Sequence, residues 1–245
     1  MSLLHPLSFL IVSAGLFAGA LVSGLMGFAF SAVAGAILLH VMPPVEAVPL
    51  MMASSTVTQA FSLVALRGSV KWRGSALLIA GGALGMLPAL YLLYHVDAGI
   101  FRIGFGTFLV AYAAYMLLRP AVACAGVAPG SLRHAIVGFG GGLIGGLTAM
   151  PGALPVIWCD LRGMPRDQQR GLVQPYIVTM QLFALALMVS RNTISGDALV
   201  SLAFNLPALV AGAALGIVMF RRIDDAAFRR AVLAVLLFAG LLLVV

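Results

Sequence analysis

Charge is what this sequence has least of. Asp, Glu, Lys and Arg together make up 9% of its 245 residues, against roughly 25% in a soluble globular domain. Apolar residues make up 62% and the mean hydropathy is +1.13. That balance excludes a soluble domain and places the chain in the lipid bilayer as a polytopic, all-α membrane protein. No Lys or Arg precedes the first apolar run, MSLLHPLSFLIVSAG, so the charged start of a cleavable signal peptide is missing. Cys124 and Cys159 sit beside or in expected cytoplasmic loops, and His5, His40, His95 and His134 are scattered near helix ends. They give no disulfide framework and no metal-ligand spacing, so neither cofactor nor metal is expected. GxSxG, Walker A and HExxH motifs are absent, which argues against an enzyme. The formal charge of +7 is read as a marker of cytoplasmic loops and not as a nucleic-acid footprint.

Within the apolar stretches the shortage of charge is sharper. Glu46, Asp97, Asp160, Asp197 and Asp224 all fall at the ends of expected spans, and no Lys or Arg lies near a midpoint. Intramembrane charges usually mark ion pathways and proton relays. Their absence counts against a buried carboxylate as proton carrier, and against a strong fixed charge binding a substrate.

What is abundant instead is glycine, concentrated in Gly138 to Pro155, GFGGGLIGGLTAMPGALP. Gly138, Gly142 and Gly146 recur every four residues and line one helix face, where another backbone can approach closely. Ala149-Met150-Pro151-Gly152 should stop that helix, yet apolar residues resume at Ala153. A helix broken inside an apolar stretch persists only where the break is buried in protein or lines a cavity. An earlier run, about 6–42, poses the same problem. As one helix it would be about 54 Å long, against a hydrocarbon core of about 30 Å. A hairpin of two short arms, bent near Gly24 to Ser31, fits better. Ordinary spans are expected near 46–66, 74–95 and 100–118, then near 172–190, 198–220 and 229–245 after the second broken run at about 134–161.

The two sets are copies. An offset of 122 places Gly19, Gly24, Met42-Pro43, Gln59 and Gly74 on Gly141, Gly146, Met164-Pro165, Gln181 and Gly196. Drifting to 127, it places Asp97, Phe101 and Arg102 on Asp224, Phe228 and Arg229. At each loop one copy is basic and the other nearly bare. If each broken run is a hairpin that returns to its own side, twelve of the basic residues (in loops near 67–73, 119–133, 162–170 and 221–230) share one face, and Arg102 and Arg191 take the other. Under the positive-inside rule this predicts two inverted repeats, 1–118 and 134–245, each a broken or re-entrant hairpin plus three transmembrane helices. A cytoplasmic linker, 119–133, joins them, and both termini lie outside.

Polar but uncharged residues are the candidates for chemistry. In MMASSTVTQAFSLV, Ser55, Gln59 and Ser62 share one helix face; in LVQPYIVTMQLF, Gln174 and Gln181 lie seven apart on one face and Pro175 is placed to kink the helix. Interhelical hydrogen bonds, worth about 0.6 to 2 kcal/mol each, would account for any one of them; the repeat-related pair Gln59 and Gln181 is the better candidate for a site. The arm after each bend starts a new helix, whose first N–H groups lack partners and attract an anion without an Arg. Those starts are Gly27-Phe28-Ala29-Phe30-Ser31 and Met150-Pro151-Gly152-Ala153.

The pattern Gly15-x3-Gly19-x4-Gly24-x2-Gly27 resembles the first half of sulfite exporter TauE/SafE family proteins. The stretch from Gly138 to Pro155, with Gly163-Met-Pro165 and Gln169-Arg170-Gly171 downstream, is similar to their second half. The resemblance covers essentially the whole chain. It implies a plasma-membrane permease for small sulfur-containing anions, sulfite or organosulfonates. The family's first hairpin tends to carry Gly-x-Gly-Gly, whereas Phe28 and Phe30 stand here, a departure that bears on the substrate more than on the fold. The expected partners are therefore a small anionic substrate, the bilayer and a coupling ion (H+ or Na+), with no nucleic acid. An anion channel and a non-transporting membrane scaffold are the rival functions. The Gly81-x3-Gly85 and Gly212-x3-Gly216 faces would serve internal packing or a homodimer, internal packing being the simpler use.

Overall fold

A computed structural model describes residues 6–26, 29–65, 72–118, 130–194, 196–220 and 225–244. Among them every regular element is a helix: α1 (Pro6–Met26), α2 (Phe30–Val41), α3 (Pro44–Ala65), α4 (Trp72–His95), α5 (Ala98–Leu118), α6 (Ser131–Thr148), α7 (Ala153–Leu161), α8 (Arg166–Ser190), α9 (Gly196–Phe220) and α10 (Asp225–Val244). Helices satisfy their own backbone groups, which is what an apolar surrounding demands. Five of them are long and apolar enough to cross a membrane: Ser8–Leu25, Trp72–His95, Ala98–Leu118, Gln168–Ser190 and Ala198–Met219. The surface agrees with that setting. Leu84, Ile100 and Phe204 are exposed, whereas Ser55, Gln59, Gln174, Gln181 and Asn205 are buried.

The helix ends follow local chemistry. Pro43 and Pro44 end α2, with Met42 already extended, and Pro44 opens α3 as a first-turn proline. Asp97 Oδ1 accepts the N–H groups of Gly99 (2.8 Å) and Ile100 (3.3 Å) at the start of α5. Pro175 lies inside α8 without ending it. Both broken runs are hairpins. A Cβ on Gly15 would meet Leu38 and Ile37, and one on Gly19 would meet Ala34, so α2 folds back along α1. Likewise Gly140 faces Leu154 and Gly145 faces Pro151. Two details differ from expectation. The arms are unequal, α1 having 21 residues against 12 in α2, because nothing before Gly27 interrupts the first helix. The second hairpin begins inside the stretch assigned to the linker, at Ser131; residues 119–129, with Cys124, lie outside the described residues.

Glycine faces pair the long arms with helices from the other end of the chain. A Cβ on Gly81 would strike the Ala135 carbonyl, one on Gly85 the Phe139 carbonyl, and one on Gly142 the Gly82 carbonyl. Backbones that close leave no room for a side chain, so α4 and α6 pack in close van der Waals contact. The partners advance together, so these helices run parallel. Gly212 and Gly216 seat in the same way on Phe17, Ala20 and Leu21 of α1, again parallel. Gly106 of α5 meets Gly240, Leu243 and Val244 of α10, while Gly240 meets Gly106, Leu109 and Val110, a crossing that is antiparallel. Both glycine pairs that could have served a dimer are therefore used inside the chain.

Candidate functional site

The two bends meet. Ser31, in the first turn of α2, donates its hydroxyl to the Ala149 carbonyl at the end of α6, 2.7 Å away and buried. Ala149 makes this possible by its backbone. Its φ of 56° and ψ of 22° are left-handed, which ends α6 and swings the carbonyl off the helix axis. Thr148 Oγ1 bonds back to the Ile144 carbonyl and accepts the Met150 N–H (3.3 Å), and Pro151 cannot continue the helix. Ala29, Phe30, Ser31, Met150, Pro151, Gly152 and Ala153 are all buried. Gly27 and Phe28 lie outside the described residues. Phe30 is enclosed completely, its carbonyl and ring against Gly19, so it packs within its own hairpin.

The second bend rests on α8. A Cβ on Gly152 would collide with Ile177 Cδ1 and touch Val173. One turn beyond Ile177, Gln181 Nε2 donates to Ser55 Oγ at 2.8 Å, a buried bond that ties α8 to α3. The Gln181 amide oxygen and the Ser54 hydroxyl are buried with no hydrogen-bond partner among the described residues. Gln59 and Gln174 are as deeply buried; the Ser62 side chain is outside the described residues. Tyr176 donates to the Gly138 carbonyl (2.8 Å) and Ser75 to the Leu172 carbonyl (2.6 Å), fixing α8 against α6 and α4. The candidate site is therefore a junction of two helix breaks beside a buried amide–hydroxyl pair.

Two expectations change at this junction. The start of α7 is poorer in donors than a plain helix N-terminus. Pro151 and Pro155 have no N–H, and Ala153 N–H goes to the Met150 carbonyl (3.3 Å). A fixed charge, by contrast, does reach the first bend. Arg170, a loop residue by the charge count, lies inside α8, half-buried, and Arg170 Nη2 donates to the Leu25 carbonyl at the end of α1 (2.8 Å). The signal that could have found it was its place in Gln169-Arg170-Gly171, downstream of the second bend. Its neighbour Gln169 turns the other way, to the Val156 carbonyl (3.1 Å) and Asp160 Oδ1 (3.4 Å). Cys159 is buried within α7, not in a loop. No cluster with metal-ligand character occurs among the described residues.

The profile of one family, described as Sulfite exporter TauE/SafE, matches residues 11–243. The chain belongs to the sulfite exporter TauE/SafE family. No curated protein and no solved structure matches it. Membership makes this TauE/SafE chain a multi-pass membrane protein of a transporter family, not of an enzyme family. Both bends lie inside the matched region, as do Arg170 and the Gln181–Ser55 pair.

Proposed function

We propose that this TauE/SafE protein is a secondary transporter for a small anion, sulfite or an organosulfonate, which binds where the two hairpin bends meet. The observation that carries this reading is the Ser31–Ala149 bond, because it joins the break of one half to the break of the other. Discontinuous helices meeting at a repeat interface are where secondary transporters bind substrate. Helix lengths support a place deep in the membrane. The short arms α2 and α7 have 12 and 9 residues. Their lengths are about 18 and about 14 Å, close in sum to a hydrocarbon core of about 30 Å. With the short arms entering from opposite faces the site is read as lying near the midplane, although α1, which shares the first bend, is itself long enough to cross.

The two halves, 1–118 and 134–245, are read as inverted repeats joined by a cytoplasmic linker, 119–133, with both termini outside in the plasma membrane. The pairing of α1 with α9 and of α4 with α6 supports this, since it exchanges equivalent helices between halves. Alternating access then follows from one half moving against the other. The chain carries no Walker A motif, so the substrate's own gradient or a coupling ion, H+ or Na+, drives it.

The test is a thermal-shift screen on the purified protein with sulfite, methanesulfonate, sulfate, thiosulfate and acetate, followed by counterflow in proteoliposomes. Selective stabilisation by a sulfur anion together with trans-stimulated exchange is expected. Stabilisation by none of the sulfur anions would sink the substrate assignment, and flux without trans-stimulation would make the protein a channel.

A further inference from the structure

We propose that Arg170 is the cation of the transport site and selects its substrate as an oxyanion. This rests on the anion-transport reading above and names the residue that would recognise the anion. The guanidinium enters from the second turn of α8 and reaches the carbonyl of Leu25, at the bend end of α1. It thus brings a permanent positive charge to the first bend, the element whose Ser31 holds the second. The repeat makes this charge specific. Under the offset of 122, Arg170 falls on Val48, which is completely buried in α3. A cation at this position is therefore no common requirement of the two halves, and the junction is electrostatically one-sided.

Two further observations and the chemistry of arginine fit an oxyanion. The α7 start is short of N–H donors, since Pro151 and Pro155 have none and Ala153 uses its own. Ser23, two residues before Leu25, has a fully buried hydroxyl with no hydrogen-bond partner among the described residues; a hydroxyl there can donate to a ligand. A guanidinium presents a planar fork of donors that matches two oxygens of one oxyanion, which a lysine ammonium cannot do. An oxyanion at the bends would take over donors of Arg170 that now serve the Leu25 carbonyl. Binding would thereby loosen α1 from α8.

The rival role is structural: an Arg capping the C-terminal carbonyls of α1. Sulfite counterflow by the full-length protein in proteoliposomes separates the two, with Arg170→Gln and Arg170→Lys compared at matched reconstitution. Arg170→Gln is expected to raise KM for sulfite at least tenfold. Arg170→Lys should lie between, keeping the charge but losing the fork. An unchanged KM in Arg170→Gln with only a lowered melting temperature would overturn the proposal and leave anion transport standing. Should Arg170→Gln fail to fold, phenylglyoxal modification of the wild-type protein decides instead. Sulfite should slow modification of Arg170, read by mass spectrometry, and an unaltered rate would count against it. If wild-type protein shows no exchange and no stabilisation with any sulfur anion, both this proposal and the transport reading fall.

Discussion

Ala149 and Asn192 are the two non-glycine residues with positive φ among the described residues. Asn tolerates the left-handed region; Ala does so at a cost of about 1–2 kcal/mol. At Asn192 the conformation serves an ordinary turn after α8. At Ala149 it sits at the junction of both hairpins and presents the carbonyl that Ser31 holds, so the strain lies where the substrate is proposed to bind. Two outcomes follow. Ala149→Gly should raise stability by about 1 kcal/mol, because glycine adopts this φ without a Cβ penalty. Thermal unfolding in detergent would show it, and a fall would mean the Ala149 methyl is needed for packing. Ser31→Ala should lower stability by about 1–3 kcal/mol, the loss from leaving a buried carbonyl without its donor. The second bend was legible from Met150-Pro151-Gly152 because proline stops helices by a local mechanism. The left-handed Ala149 was not, since nothing in an alanine side chain favours that conformation. Arg170 was hidden for a different reason: a long side chain one turn inside a helix can point to water or to protein, and its neighbours decide which.

At the scale of the helix, glycine divides into two kinds that the sequence does not distinguish. Gly142 sits against the Gly82 carbonyl, whereas a Cβ on Gly104 would meet nothing within 4 Å. Alanine at the two positions should therefore have opposite effects. Gly142→Ala forces two backbones apart and should cost about 1–3 kcal/mol, as overpacking does. Gly104→Ala, inside α5, should gain up to about 1 kcal/mol from helix propensity. Melting temperatures of the two variants, measured side by side, would check this, and equal shifts would contradict the close α4–α6 contact. The four-residue spacing of these glycines announced that some backbone comes near. It did not name the partner, so Gly81-x3-Gly85 and Gly212-x3-Gly216 stood between a dimer and internal packing until α6 and α1 were found seated on them. The expected spans near 74–95, 100–118, 172–190 and 198–220 return as helices long and apolar enough to cross a membrane, since apolar length is a direct measure of bilayer thickness; α3 and α10 stand where the other two are expected but are not among those helices. The length of the first arm was not legible, because α1 runs to Met26 and no proline stands between it and α2 to mark its end.

The whole molecule hangs on the sense in which helices from the two halves run. Suppose both halves entered the membrane from the same side. Then α1 and α6, the first arms, would run alike, and so would α4 and α9, opposite to them. The pairs α1–α9 and α4–α6 would each be antiparallel, and α5–α10 parallel. The glycine contacts run the other way in all three pairs, which is the pattern expected of halves inserted oppositely. Charge makes the same argument independently: with Arg170 set aside, eleven basic residues fall on one face and two on the other under the hairpin topology. Gly74 and Gly196 are related by the offset of 122 and both are exposed, so they test the inversion directly. With Cys124 replaced by Ser and the buried Cys159 left in place, Gly74→Cys should react with a membrane-impermeant maleimide only from the cytoplasmic side. Gly196→Cys should react only from the outside, in intact cells. Parallel repeats would label both from one side, and a site built from two bends meeting head to head would then lose its geometric basis.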